Sequence, residues 1–192
     1  MKMYGNTSDT NPWIFGYGLN YIFSSPASDG KLEQVVAGFD FNRPGKRVDA
    51  LMRTHGLISS LCFVEIKTHK TLLLRDTKEY RPGCWMISAD LAGSVAQIQK
   101  PVQKALSSLR SKVELLDYIG DPTCEVVYLY QPKSYVVIGN LAQFQVPNGI
   151  NEEKYGSFDL FRQNVVNPEI ITFDELFSRV KFIVKRSENE KE

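Results

Sequence analysis

Histidine and cysteine are scarce in this chain. The two histidines, His55 and His69, are too few for a His-rich metal site, and the three cysteines, Cys62, Cys84 and Cys124, form no Cys-x-x-Cys pair. Their odd number and wide spacing argue against a disulfide framework or a zinc knot and fit a reducing cytoplasm. Apolar sequence around them marks them as packing residues. An excess of charge of one sign is also lacking: 23 Lys and Arg face 22 Asp and Glu, a formal net charge of +1. Bulk positive charge therefore cannot coat nucleic acid, although a local basic strip can still bind it. No apolar run approaches the roughly 20 residues of a membrane span, and the first residues hold no signal-peptide core. Gly-x-Gly-x-x-Gly, a Walker loop and Gly-x-Ser-x-Gly are all absent, which leaves dinucleotide binding, P-loop chemistry and a nucleophile elbow without support.

What is present is an average globular composition, 43% hydrophobic and 23% charged over 192 residues. That is enough apolar side chain for one domain with a sizeable core. The aromatic stretch 12–23 reads as a short buried helix or an irregular packed segment, and 24–30 as a turn cluster. Period-two patterning predicts strands over 33–41, 47–54 and 60–68, joined as an antiparallel meander. Residues 69–88 have no clear period and read as a long functional or mobile connection. Apolar residues at three-four spacing from Leu91 to Leu116 predict a long helix, kinked or divided at Pro101. Strands follow over 125–130 and 135–139, a helix over 151–166 and a strand over 169–173. Thr172 or Asp174 caps a last helix through Val184, and a polar tail ends the chain. The order predicts an α/β fold, a mixed sheet flanked by helices.

The chemistry concentrates in two of the expected strands. A tight connection over 55–59 sets Thr54 opposite Ser60, hence Asp49 opposite Glu65 and Arg47 opposite Lys67. Two carboxylates facing each other on a sheet repel, and burying them together is costly without compensation. A magnesium ion between them relieves both problems, since it takes one or two carboxylates and keeps several waters. Such an ion lowers the pKa of a bound water and stabilises charge on a phosphoryl oxygen. Lys67 then stands one pleat further on, able to orient water or steady a phosphate in transition. The plainer alternative is a solvated strand face on which Arg47 and Lys67 neutralise Asp49 and Glu65. Downstream, His69, Lys70, Arg75, Lys78 and Arg81 alternate with Tyr80 and Trp85, and Arg43, Lys46 and Arg47 add charge near the first turn. Basic residues interleaved with aromatics can track a phosphate backbone; an ordinary exposed loop is the alternative.

Asp49 together with Glu65-Ile66-Lys67 resembles the PD-(D/E)xK nuclease signature, with Val48 where a proline is usual. The wider series Asn11-Pro12-Trp13-Ile14, Arg47-Val48-Asp49, Val64-Glu65-Ile66-Lys67, Ala96-Gln97-Ile98-Gln99 and Asn167-Pro168-Glu169-Ile170-Ile171-Thr172-Phe173-Asp174-Glu175-Leu176 is similar to the Shedu anti-phage defence nucleases, with their C-terminal DUF4263 domain. The resemblance covers residues 11–184 and implies a restriction-endonuclease-like core over 26–184, between a lead-in segment over 1–25 and the tail over 185–192. It implies magnesium-dependent cleavage or nicking of phage or plasmid DNA, with manganese able to substitute. Asp49, Glu65 and the Ile66 carbonyl would be metal ligands, and Lys67 the catalytic lysine. Gln97 resembles a glutamine placed beside this site in some branches; its alternative is a boundary residue flanking the Val95 and Ile98 stripe. Arg47, His69, Lys70, Arg75 and Arg81 would contact nucleic acid. Many relatives supply another acid from a helix before the first strand, whereas no acidic residue lies between Asp9 and Asp29. A catalytic-domain fragment, or a short family member without the N-terminal regulatory part, is therefore expected; a homo-oligomer is expected as well. A non-catalytic DNA-docking or oligomerisation module of the same fold, and an RNA-directed nuclease, remain as alternative functions.

Overall fold

The computed structural model describes residues 23–26, 35–36, 39–40, 50–55, 59–75, 79–108, 112–116 and 121–189. It is a mixed α/β fold whose residues group into two compact units.

The first unit takes residues 1–65 and 98–134. Its strands are β1 (Phe23–Pro26), β2 (Val35–Val36), β3 (Phe39–Asp40), β4 (Ala50–His55), the bulk of β5 (Ser59–Ile66), β6 (Lys112–Leu116) and most of β7 (Pro122–Val137). β1 pairs antiparallel with β4, from Phe23 opposite His55 to Pro26 opposite Met52. β4 pairs antiparallel with β5, from Ala50 opposite Val64 to Arg53 opposite Leu61. This is the register expected from a tight 55–59 connection; its continuation to Asp49 and Arg47 lies outside the described residues. β5 neighbours β7 in turn.

The burial of β5 explains why it holds this place. Leu61, Cys62, Phe63 and Val64 are all buried, so both faces of the strand are covered. Each of the larger apolar side chains contributes about 1.5–3 kcal/mol on burial. A near-continuous apolar run is the pattern of a central strand, not of a half-solvated one.

Several sequence expectations change in this unit. The strand over 33–41 is instead two short strands, Val35 opposite Asp40 and Val36 opposite Phe39. The other neighbour of β4 is β1, which joins Phe23, the end of the aromatic stretch, to the first three residues of the expected turn cluster at 24–30. Ser24, Ser25 and Pro26 favour turns locally, but Pro26 is tolerated at the end of an edge strand, where a missing N–H does least harm. His55 ends β4 instead of lying in its connection. The strands over 125–130 and 135–139 are one strand, β7, because Gln131-Pro132-Lys133-Ser134 does not interrupt it. The pairing of β6 with β7 shifts between Glu114 and Leu116. Cys124, at φ 60°, stands on β7 where the register slips, as a bulged residue does. Cys124 and Cys84 are exposed, so of the three cysteines only Cys62 is a packing residue.

The long helix also ends early. Helix α1 (Ala89–Ser108) is one element that Pro101 does not divide, and Val113 and Leu116 belong to β6. Its buried stripe is Leu91, Ser94, Ile98, Pro101 and Ala105, while Leu106 is exposed. Three-four spacing continued by coincidence across a helix end into a strand.

The second unit takes residues 66–97 and 135–192. Here the last residues of β7 pair in parallel with β10 (Glu169–Ile171), Tyr135 opposite Glu169 and Val137 opposite Ile171. A short 3-10 helix (Leu141–Phe144), the β8–β9 pair (Gln145–Val146 and Gly149–Ile150) and helix α2 (Glu152–Asn164) form the crossover. Asn151 caps α2 by accepting from the Lys154 amide at 3.0 Å. Helix α3 (Phe173–Asn189) follows directly on Thr172, one of the two expected caps, and extends past Val184. Its cap is half a capping box: Glu175 reaches back to accept from the Thr172 amide at 3.0 Å and from the Thr172 hydroxyl at 2.9 Å. The same carboxylate takes Arg162 of α2 at 2.8 Å, and Arg162 also holds Asp159 at 2.8 Å. Burial opposes the charge on this guanidinium, but the two carboxylates outweigh it and raise its pKa.

The turn from β7 into this layer passes through Gly139, at φ +62°. A Cβ there would lie 2.7 Å from Leu73 Cδ2 and 2.8 Å from the Thr71 carbonyl oxygen. Gly139→Ala is expected to cost at least about 1–3 kcal/mol from the left-handed backbone alone. Denaturant unfolding of the two proteins measures the loss.

Candidate functional site

Glu65 is the eye-catching residue of β5. It follows four buried residues and is itself 1% exposed. A carboxylate at that depth requires hydrogen bonds or positive charge around it. Ile66, half-buried, ends the strand.

Lys67 follows Ile66 at the start of the second unit. Its amide donates to the Val137 carbonyl at 2.9 Å, which fixes the root of the side chain against β7. Its ammonium donates to Gln97 Oε1 on α1 at 3.2 Å. α1 is launched by Ser88, whose hydroxyl accepts from the Leu91 amide at 3.0 Å. Gln97 is exposed and adjoins the buried Ile98, so the lysine meets it at the helix boundary. Two of the residues singled out in the sequence are thus in contact.

The turn after Lys67 is held from several sides. The Thr71 amide donates to the Thr68 carbonyl at 3.1 Å, and the two hydroxyls lie 3.0 Å apart. The Gly139 amide donates to the Thr68 carbonyl at 3.0 Å. Gln143, on the 3-10 helix, donates to the Thr71 carbonyl at 2.9 Å and accepts from the Leu73 amide at 3.0 Å. His69 sits edge-on to Phe173, with ring centroids 6.2 Å apart, at the start of α3. Lys70 is exposed. Sequence reasoning missed Gly139 and Gln143 as supports of this turn. An isolated glycine closing an apolar strand was a usable signal; nothing in the sequence marks Gln143.

The stretch 69–88 is not the structureless connection expected. Residues Leu74 and Ile87 bridge antiparallel, as do Arg81 and Cys84. The Arg75 amide donates to the Met86 carbonyl at 2.8 Å, and the Ser88 amide to that of Leu73 at 3.1 Å. Arg81-Pro82-Gly83-Cys84 makes a tight turn with Gly83 at φ +71°, the Pro-Gly chemistry of a type II turn. Arg75 and Arg81 are both exposed. Lys78, Arg43, Lys46, Arg47 and Asp49 lie outside the described residues, as do Asn11, Trp13 and Phe15. Among the described residues, no group of three or more His, Cys, Asp or Glu is placed to hold a metal ion, and no helix is long and apolar enough to cross a membrane.

A mixed α/β fold with a buried strand acid and a lysine-glutamine contact defines the class only broadly. Comparison with known proteins narrows it. The family model described as Shedu protein SduA, C-terminal, matches residues 9–177, and the chain belongs to that family. It is 30% identical over 197 residues to the Shedu protein SduA of Bacillus cereus (strain B4264), an alignment that covers 96% of this chain and 45% of that protein. The chain therefore spans a little under half the length of this curated relative.

The two-sided grip of Gln143 makes a specific expectation. Gln143→Ala leaves the Leu73 amide and Thr71 carbonyl without these partners, a loss of about 1–3 kcal/mol. Amide hydrogen exchange at Leu73 is expected to accelerate, while exchange at Ile171 in β10 stays slow.

Proposed function

We propose that this chain is the nuclease part of a bacterial anti-phage defence protein, with a restriction-endonuclease-like PD-(D/E)xK core that hydrolyses DNA phosphodiester bonds. The observation that carries the reading is the β4–β5 register. Ala50 stands opposite Val64, so one further step of the same ladder would bring position 49 opposite Glu65. The deep burial of Glu65 supports it, because a carboxylate at 1% exposure suits a site that supplies compensating charge. Membership of the Shedu family supports the defence role.

The residues present fit a divalent ion: two hard carboxylates and a carbonyl are the oxygen donors magnesium takes. Asp49, Glu65 and the Ile66 carbonyl would hold it, with manganese as a substitute. When bound, such an ion supplies activation of water and charge neutralisation at phosphate. The chain's own groups do the rest. Lys67 presents a positive charge to the phosphoryl oxygens as their charge grows. Gln97 accepts a hydrogen bond from that ammonium and restricts where it points. Arg47, His69, Lys70, Arg75 and Arg81 contact the DNA backbone and bind through counterion release, so affinity falls as salt rises.

Supercoiled-plasmid nicking in magnesium tests the assignment. Asp49→Ala, Glu65→Gln and Lys67→Ala are each expected to lower the rate by roughly 100-fold or more, and Gln97→Ala by about 10-fold or more. Calorimetric titration with manganese is expected to show heat that Glu65→Gln abolishes. Equal nicking by all four variants, or manganese heat unchanged in Glu65→Gln, would replace the nuclease with a non-catalytic docking module.

A further inference from the structure

Residues 73–75 and 79–88 form a braced finger within the second unit. Its stem is the pairing of Leu73 and Arg75 with Met86 and Ser88. Its tip is closed twice: the Tyr80 amide donates to the Cys84 carbonyl at 2.9 Å, and the Cys84 amide to the Arg81 carbonyl at 2.9 Å. Glu79 adds a third tie, accepting from the Gly83 amide at 3.3 Å. Behind the tip, Trp85 is fastened to α2. Its amide donates to the Ser157 hydroxyl at 3.0 Å, and the Lys154 ammonium lies 4.3 Å above its ring.

This construction presents one large aromatic ring to solvent. Tyr80 is 64% exposed. Exposure alone does not single it out, since Tyr130 is 74% exposed; what does is its place on a turn closed by several backbone bonds, where a ring loses little freedom on stacking. Arg81 stands beside it with its guanidinium 5.8 Å from the ring centroid. An exposed aromatic next to a cation is the chemistry that receives an unpaired base and its phosphate together. A duplex interior offers the phosphate but keeps its base faces stacked.

We propose that the finger reads unpaired nucleotides in DNA, with Tyr80 stacking on an exposed base and Arg81 taking the adjoining phosphate. The inference rests on the DNA reading above and refines its substrate class to DNA with single-stranded character, such as an overhang, a gap or a frayed end. Tyr80 acts on recognition and has no part in bond cleavage.

Fluorescence anisotropy in EDTA separates the two readings, because binding is measured with no cleavage. The probes are a fluorescein-labelled blunt duplex and the same duplex with a single-stranded overhang. The full 192-residue wild-type chain is expected to prefer the overhang. Tyr80→Ala is expected to weaken overhang binding about 10-fold, leaving the blunt duplex unchanged. Tyr80→Phe, which keeps the stacking face, is expected to restore the preference. Arg81→Ala is expected to weaken both probes and to reduce the slope of log affinity against log salt by about 0.7–0.9. A wild type that binds neither probe overturns the DNA reading and the inference with it. A wild type that binds both equally, or a Tyr80→Ala protein that keeps the overhang preference, overturns the inference alone. Thermal unfolding of each variant confirms that the finger, and not the fold, has been altered.

Discussion

The second unit is organised around the lack of space at Gly139. The amide of this residue holds the Thr68 carbonyl, and its own carbonyl accepts from Phe173 at 3.0 Å. The turn that follows Lys67 and the start of α3 are therefore joined through one residue that has no side chain. Leu73 and the Thr71 carbonyl fill the volume that a Cβ would need. From this junction β10 lies parallel to β7, Thr172 caps α3, and Glu175 reaches Arg162 on α2. The lysine-glutamine contact depends on the same junction, because Lys67 is rooted on β7 two residues before Gly139.

What was legible in the sequence was what depends on local pattern. The hairpin register followed from period two and a short connection, and the structure has the Ala50–Val64 pairing that this arithmetic requires. The helix read over 151–166 and the strand read over 169–173 correspond to Glu152–Asn164 and Glu169–Ile171, and of the two caps offered for the last helix, Thr172 and Asp174, Thr172 is the one whose amide Glu175 holds. The contact between Lys67 and Gln97 was reached by two routes: the strand face marked Lys67, resemblance supplied Gln97, and nothing in their spacing would have joined them.

What was not legible has physical reasons. Apolar spacing persists through Ser108 into Val113 and Leu116, so a helix and a following strand looked like one helix. β7 runs through Pro132, whose local preference would end a strand, because burial on both sides of it at Ser134 to Ile138 outweighs that preference. β1 overrides turn-forming residues through pairing with a strand some thirty positions away. The order of residues 73–75 and 79–88 arises from two isolated bridges and a brace against α2, none of which has a period. Gln143 stabilises a turn 70 residues earlier, a relation that no window along the chain can contain.

The placement of β1 carries a consequence for association. Among the described residues it is the outermost strand of its ladder, four residues long, and it closes on Pro26. A strand from another copy arriving at that border would find a short template with one donor missing. A ladder that closes on a proline is discouraged from lateral growth at that residue.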